Sequence, residues 1–483
     1  MAHGLVKDFL GFVKKLRKAA EYITLADDVI YIISHIDADG IAAAGILCNL
    51  LYEIDKPFIL KFVKQLRRDF LEQFVNEADP REVVFVDVGS GNIEQIASTL
   101  HRATRIYVID HHMQQDIDIN EIPVKLINLN PRAYGFNGGR EISSAGVAYM
   151  LSRVFSGKKP HLITLSKYGI IGALGDNQDI GEKKSLIGLN KLILEDAEKT
   201  SIIKAKVDLL ISGRESKPLY QALAETYNPV LPGITNSLEG ALNFIQSIGL
   251  GLGRLDLENI TLSDLSDDQK SLLLEKLIER IAITFGNKFS LDEIKDMLIG
   301  YVYIVQDAKK PELKDAREFS TLLNACGKLG KPHIALGLLL SNSDDFYNEA
   351  LTLYKQYRYM ISEALKKAKN TLRDIDGIKI VDGRDYLHED LTSTVSSIMA
   401  TTMINCEVLM VISKETEGAL KLSLRKCKGA KIKDIRAVLI KTIKKIGRGE
   451  GGGHESAAGA YIPKDSLDIF LETFRETLAE ETR

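Results

Sequence analysis

Apolar and polar positions follow two different periods along the chain. Between residues 29 and 180, short β-branched runs, "DVIYIISH", "PREVVFVDVGS", "ATRIYVIDHH" and "VKLINLN", are bounded by turn residues. Stretches such as "GIAAAGILCNLLYEI", whose spacing suits helices, separate them. That alternation predicts a parallel sheet covered on both faces. From about 200 to 365 the apolar residues recur at three and four, as in "DDQKSLLLEKLIERIAITF" and "LDEIKDMLIGYVYIV", and predict helices. Beyond 366 the alternation returns in "IKIVDGRDY" and "CEVLMVISKETEGALKLSLRK", then a basic helix and the run "GRGEGGGHESAAGAYIP". The expected protein is α/β in three parts: a parallel-sheet domain over 1–199, a mostly helical middle segment over 200–365, and a smaller α/β domain over 366–483. The opening stretch, "GLVKDFLGFVKKLRKAAEYI", breaks its apolar positions with lysines, so it reads as an amphipathic helix and not as a signal peptide.

Composition narrows the class without naming a function. The chain has 483 residues, a formal charge of -3, 45% apolar and 27% charged residues, which is the balance of a soluble globular protein. Near-zero net charge predicts no whole-molecule attraction to nucleic acid or membrane, so any basic surface must be local. Cys48, Cys326, Cys406 and Cys427 are scattered, which argues against a zinc site and against a disulfide framework, and favours a reducing, cytoplasmic setting. The longest uncharged apolar stretch, near "IAAAGILCNLLY", is too short to span a bilayer.

Chemistry concentrates at the strand ends. "HIDADG", "DVGSG" and "DHH" each follow a strand's C-terminal end, the edge on which open α/β sheets build sites. Taken with "GALGD", they supply His35, Asp37, Asp39, Asp87, Asp110, His111, His112 and Asp176. Carboxylates gathered at one edge repel and are costly to desolvate, so a cation must hold them. The set exceeds what one divalent ion needs and suits two ions about 3.5 to 4 Å apart sharing a carboxylate. Asp37 and Asp39 would project to one side of an extended loop, with Gly40 turning the backbone into the next helix; Asp39 also reads as a helix N-cap. In "REFSTLLNACGKLGKPH", Arg317 and Asn324 could face a ligand, but the favoured reading is a surface charge and a helix-end residue. Oxygen-rich ligation points to Mn, with Mg as the second choice and Zn able to bind without supporting turnover.

The C-terminal part has its own charge pattern. Between Lys421 and Arg448 there are eleven Lys or Arg against one acidic residue, Asp434, a phosphate-binding footprint or the solvated face of an amphipathic helix. In "GRGEGGGHESAAGA", Gly451, Gly452 and Gly453 expose backbone N–H groups, His454 adds a donor, and the small residues after it would let a helix start against a ligand.

"HIDADG", "FVDVGS", "IDHH" and "GALGD", in this order, resemble the four motifs of the DHH phosphoesterase superfamily, and "GGGHESAAGA" resembles the glycine-rich signature of its DHHA1 domain. The chain looks most like the archaeal RecJ-like single-strand exonucleases. That resemblance implies one ion on His35, Asp37 and Asp87, and another on Asp39, Asp87, His111 and Asp176, with Asp87 as the bridge. It also implies that His112 faces the phosphate or leaving group while Asp110 orients an imidazole. Arg425 would clamp a phosphate, and the run from Gly451 to His454 would bind a nucleic-acid end. The implied function is metal-dependent exonucleolytic cleavage of single-stranded DNA or RNA, threaded between two domains, in replication or repair. Two alternatives stand beside it: a scaffold subunit of the replicative helicase bound to GINS, with nuclease activity secondary, and a short-oligonucleotide phosphodiesterase.

Overall fold

The computed structural model describes residues 7–115, 125–253, 257–286, 289–341, 343–401 and 406–482. Two compact units emerge, Met1–Ala222 with Leu250–Tyr354, and Leu223–Gly249 with Lys355–Arg483. Residues 200–365, set apart in the sequence as one segment, thus contribute to both.

The first unit is built on a parallel sheet of β1 (Ile30–His35), β2 (Phe58–Val63), β3 (Glu82–Val86), β4 (Arg105–Ile109) and β5 (Leu126–Asn128), in the order β2-β1-β3-β4-β5. Alternation along the strands sends Ile33, Val83, Phe85, Ile106 and Val108 to one face, where they pack with Leu71, Phe74, Ile96 and Leu100. Those partners come from α3 (Arg68–Ala78) and from α4 (Ile93–Thr99) with its C-cap Leu100, whereas α2 (Ala38–Glu53) packs against α5 (Ser144–Arg153) and α6 (Ser166–Gly175). The N-terminal helix α1 runs Phe9–Thr24; Gly4, Leu5 and Val6, where its pattern begins, lie outside the described residues. The sequence reading missed β2. Its run "FILKFV" carries a lysine and is only partly buried, as an edge strand should be.

The strand order reverses between β1 and β3. Both neighbours of β1 run parallel to it, so the chain leaves the sheet in opposite directions at adjacent C-terminal ends and opens a crevice there. His35 ends β1, Asp87 directly follows β3 and Asp110 directly follows β4.

Three readings of the sequence need correction. "LDEIKDMLIGYVYIV" is a helix only to Leu298; Ile299–Val305 is a strand, β7, paired antiparallel with β6 (Ile203–Leu209), because its valines, isoleucines and tyrosines favour extended backbone. The cysteines are not all unpaired: Cys406 and Cys427 form a disulfide, their Cα atoms 5.7 Å apart. The hairpin of β10 (Val408–Ile412) and β11 (Ala419–Lys426) pairs Val408 with Lys426 and so carries the two cysteines to its open end. Finally, no helix starts after the glycine run. Glu450–Gly453 is a strand, β12, and Ala457–Pro463 a second, β13, closed by a tight turn in which His454 and Ala457 exchange backbone hydrogen bonds.

The second unit carries a mixed sheet completed by β8 (Leu372–Ile375) and β9 (Ile378–Asp382), in the order β12-β13-β11-β10-β9-β8, with only β9 and β10 parallel. Its core joins Met410, Leu422, Leu424 and Ala460 to Val438, Leu439, Phe470 and Phe474 of two covering helices. Among the described residues, no helix is long and apolar enough to cross a membrane.

Candidate metal centre

The loop after β1 starts the site. Asp37 is the N-cap of α2, its Oδ1 accepting from Gly40 N at 3.0 Å, while its Oδ2 faces His35 Nδ1 at 2.9 Å. The N-cap is therefore Asp37, not Asp39, because the helix starts two residues earlier than the apolar pattern indicates. Gly40 already lies inside the first turn. Asp39 lies inside α2 and not on an extended loop beside Asp37, and its carboxylate is held by the first N–H groups of α5: Ser144 N at 2.7 Å and Ala145 N at 3.0 Å. A helix N-terminus stabilises such an anion. Gly172 of α6 makes room for it, since a Cβ there would sit 2.4 Å from Asp39 Oδ1.

Asp87 occupies the centre. Its backbone adopts φ +59°, a left-handed conformation that aspartate tolerates better than most residues and that is concentrated at functional sites. Its Oδ2 lies 3.2 Å from His35 Nδ1, its Oδ1 lies 3.5 Å from His111 Nε2, and Oδ1 accepts from the Ser144 hydroxyl at 2.9 Å. Asp176, just past α6, brings Oδ2 within 3.1 Å of His111 Nε2, and Asp39 Oδ2 lies 3.9 Å from the same nitrogen.

The two adjacent histidines separate. His111 is buried, and its Nδ1 faces the Gly138 carbonyl, which can only accept; Nδ1 therefore carries a proton, which leaves Nε2, facing the carboxylates, as the ring atom that could ligate a cation. That Nε2 is buried without a hydrogen-bond partner. His112 is half-exposed, and its Nδ1 meets Asp110 Oδ1 at 2.7 Å. Asp110 also accepts from the backbone N–H groups of Ser90, His111 and His112.

The electrostatics follow from this packing. Burial lifts the Asp39 carboxyl well above the usual carboxylate range, and Asp176 and Asp87 push it further. Burial raises Asp176 too, against the pull of His111. For His35 and His111 burial favours the neutral ring, but Asp37 beside the first, and Asp176 and Asp87 beside the second, outweigh it and raise both. A cluster that holds protons this strongly is one in which a divalent cation can take their place. Among the described residues, three groups of donors each gather within reach of one point: His35, Asp37 and Asp87; Asp39, His111 and Asp176; and Asp87, Asp110, His111 and His112. The buried, unpartnered His111 Nε2 amid three carboxylates fits a metal ion.

Residues 29–171 match the model of the DHH family, N-terminal domain, residues 211–297 that of the DHH-CID domain, and residues 362–480 that of the DHHA1 domain. The chain carries a DHH domain and a DHHA1 domain. This DHH protein is 28% identical to an uncharacterized protein of Methanocaldococcus jannaschii over 98% of both chains. Its fold is similar to that of CDC45 from Entamoeba histolytica, with TM-score 0.64 and 12% identity over 97% of this chain and 99% of that one. It is also similar to RecJ in complex with Mn2+ from Thermus thermophilus, with TM-score 0.59 and 15% identity over 99% of this chain and 56% of that one.

The DHHA1 domain of this DHH protein places the remaining candidates. Arg425, on β11, donates to the hydroxyls of Ser397 and Ser423 and to the carbonyls of Leu424 and Ser393, so its partners among the described residues are neutral. Burial pushes its guanidinium down to about 10, which still leaves it cationic at neutral pH. Gly451, Gly452 and Gly453 lie on the edge strand, with one side turned away from the sheet, and His454 is exposed at the hairpin tip. Part of the basic run is neutralised locally: Lys441 and Lys445 pair with Glu480, and Arg448 with Asp465.

Several contributors escaped the sequence reading. Ser144 is signalled only by the "SS" before an apolar helix, an N-cap pattern with Ser143 as the cap. Asn130 donates to the Ser90 hydroxyl and to the His112 carbonyl, and Arg132 to the His111 carbonyl, fixing the loop that carries the two histidines. No local pattern marks them.

Proposed function

We propose that this DHH protein is a divalent-metal-dependent exonuclease that hydrolyses phosphodiester bonds of single-stranded DNA or RNA. One observation carries the reading: the two oxygens of Asp87 face different donor groups, Oδ2 toward His35 and Oδ1 toward His111, as a carboxylate bridging two ions would. His35, Asp37 and Asp87 would hold one ion, and Asp39, Asp87, His111 and Asp176 the other. Such a pair supplies the Lewis acidity for in-line displacement at phosphorus. Mn is the favoured metal, in keeping with the Mn2+ complex of the Thermus thermophilus RecJ, with Mg next and Zn able to bind without turnover.

The rest of the chemistry falls to side chains. Burial and His111 work against a charged His112, but Asp110 and Asp87 prevail and raise its pKa. Its ring, held through Nδ1 by Asp110, would meet the phosphate and pass a proton to the leaving oxygen. Arg425, His454 and the backbone of Gly451, Gly452 and Gly453 would grip the strand end, with the catalytic work in 1–199 and strand binding in 366–483. Digestion of end-labelled single-stranded DNA and RNA in Mn and in Mg tests this. Stepwise shortening is expected; cleavage confined to very short oligonucleotides would make it a short-oligonucleotide phosphodiesterase instead.

The likeness to CDC45 over nearly the whole of both chains favours a second reading, a replicative-helicase scaffold bound to GINS in which nuclease activity is secondary. GINS would dock on the middle segment, where Ile283 and Leu291 are strongly exposed. Loss of GINS capture by Ile283→Asp with Leu291→Asp supports that docking; unchanged capture removes it.

A further inference from the structure

The helix Ala316–Lys328 belongs to the middle segment, yet one stripe of it is built against the segments that carry four candidate ligands, His35, Asp37, Asp39 and Asp176. Arg317, Ser320, Asn324 and Gly327 recur at three and four and share a face. The sequence reading of Arg317 as a surface charge and Asn324 as a helix-end residue does not hold. Asn324 lies inside the helix, and its Oδ1 accepts from Ala38 N at 2.9 Å; Ala38 sits between Asp37 and Asp39. A Cβ on Gly327 would fall 1.7 Å from the Ile36 carbonyl oxygen, so the helix backbone touches this loop directly. At the other end, Arg317 donates at 2.7 Å to Oδ2 of Asp179, on the loop that follows Asp176, and at 2.8 Å to the Tyr301 carbonyl. Between them, a Cβ on Gly175, the neighbour of Asp176, would meet Ala38 Cβ at 2.8 Å and the Ser320 hydroxyl at 2.9 Å.

The Ala38 contact has a specific consequence. The first N–H groups of a helix have no partner within it, and Ala38 is fully buried. Asp37 caps Gly40 and also faces His35. If Asn324 did not take the Ala38 N–H, that donor would be left unsatisfied or would draw the Asp37 carboxylate away from the site. Arg317 performs the matching task on the loop after Asp176.

We propose that Asn324 and Arg317 are positioning residues for the metal centre, clamping the 35–39 and 176–179 loops in the relative placement that metal binding requires. This rests on the metal reading above, and makes the middle segment part of the catalytic apparatus. The test is calorimetric titration of the full-length chain with Mn2+, beside melting of the metal-free protein. Asn324→Ala should weaken Mn2+ binding roughly tenfold, the scale of one buried hydrogen bond left unmade. Asn324→Asp, whose carboxylate accepts the same N–H, should bind at the wild-type level or tighter. If the alanine variant does not fold, Arg317→Gln gives the same readout, again with a roughly tenfold loss expected. Wild-type affinity in Asn324→Ala or Arg317→Gln, or an Asn324→Asp protein as weak as the alanine variant, overturns the positioning role. A wild-type chain that binds no Mn2+ overturns the metal reading itself.

Discussion

Ser144 holds two carboxylates at once: its hydroxyl donates to Asp87 Oδ1 at 2.9 Å and its backbone N–H to Asp39 Oδ2 at 2.7 Å. The second contact is made by the backbone and survives a change to alanine, so Ser144→Ala isolates the first. The variant should fold, keep Asp39 in place and need more Mn2+ for half-maximal cleavage, by roughly three- to tenfold, the scale of one hydrogen bond to a charged group. Cleavage rate against Mn2+ concentration reads this directly.

Asp110 and His112 form a pair in which the carboxylate fixes the ring. Its partners hold the Asp110 carboxyl far below the usual range: burial opposes ionisation, but His112, His111 and the Ser90 N–H overcome it. Asp110→Asn keeps the shape and removes the charge that favours the imidazolium. Saturated turnover should fall on the order of tenfold to a hundredfold, and in His112→Ala by about 10²–10⁴, while calorimetry still finds Mn2+ bound.

What the sequence disclosed and what it hid divide on a physical line. His35, Asp37, Asp87, Asp110, His111 and His112 were legible because a buried strand must end in a polar turn, and three such turns at parallel strand ends converge by topology alone. Asp176 was legible from "GALGD". Asn324 and Arg317 were not, since a polar stripe on a helix looks the same facing solvent as facing a loop distant in the chain. The strand Ile299–Val305 was hidden by the helix that runs into it, and β12 by its glycines, which read as a loop. The Cys406–Cys427 pair depends on the register of β10 and β11, which no spacing rule provides.

Under the proposed function, substitution of Arg425 tests strand binding apart from chemistry. With only neutral partners among the described residues, its charge is available to a phosphate, so Arg425→Ala should weaken single-strand binding by about tenfold to a hundredfold. The slope of log affinity against log salt should become shallower by about 0.7, as for one phosphate contact to a single strand. His454→Ala should weaken binding without changing that slope. Strand binding over a salt series, with Mn2+ affinity unchanged, checks both.

Glu318 makes stability depend on pH. It is buried on the helix Ala316–Lys328, where Ser216 donates to its carboxylate, Tyr354 lies within hydrogen-bond reach and Lys217 stands nearby; burial, with Asp315 and Glu312, pushes it up to about 7. The folded chain then binds a proton that the unfolded chain has released, so stability falls as pH rises from about 4.5 to about 7 and levels off above. Glu318→Gln should flatten that dependence and, at pH 8, recover up to roughly 3 kcal/mol. Urea unfolding of both proteins at pH 5 and pH 8 measures the difference.

Under the proposed function a single carboxylate, Asp87, would join two ions into one hydrolytic site. The most direct measurement is Mn2+-dependent cleavage of an end-labelled single strand by wild type and Asp87→Ala, with circular dichroism confirming that both are folded. Two-metal chemistry predicts that the variant, folded and still able to bind the strand, loses cleavage by at least about 10³. Near-normal Mn2+-dependent cleavage by folded Asp87→Ala would contradict it.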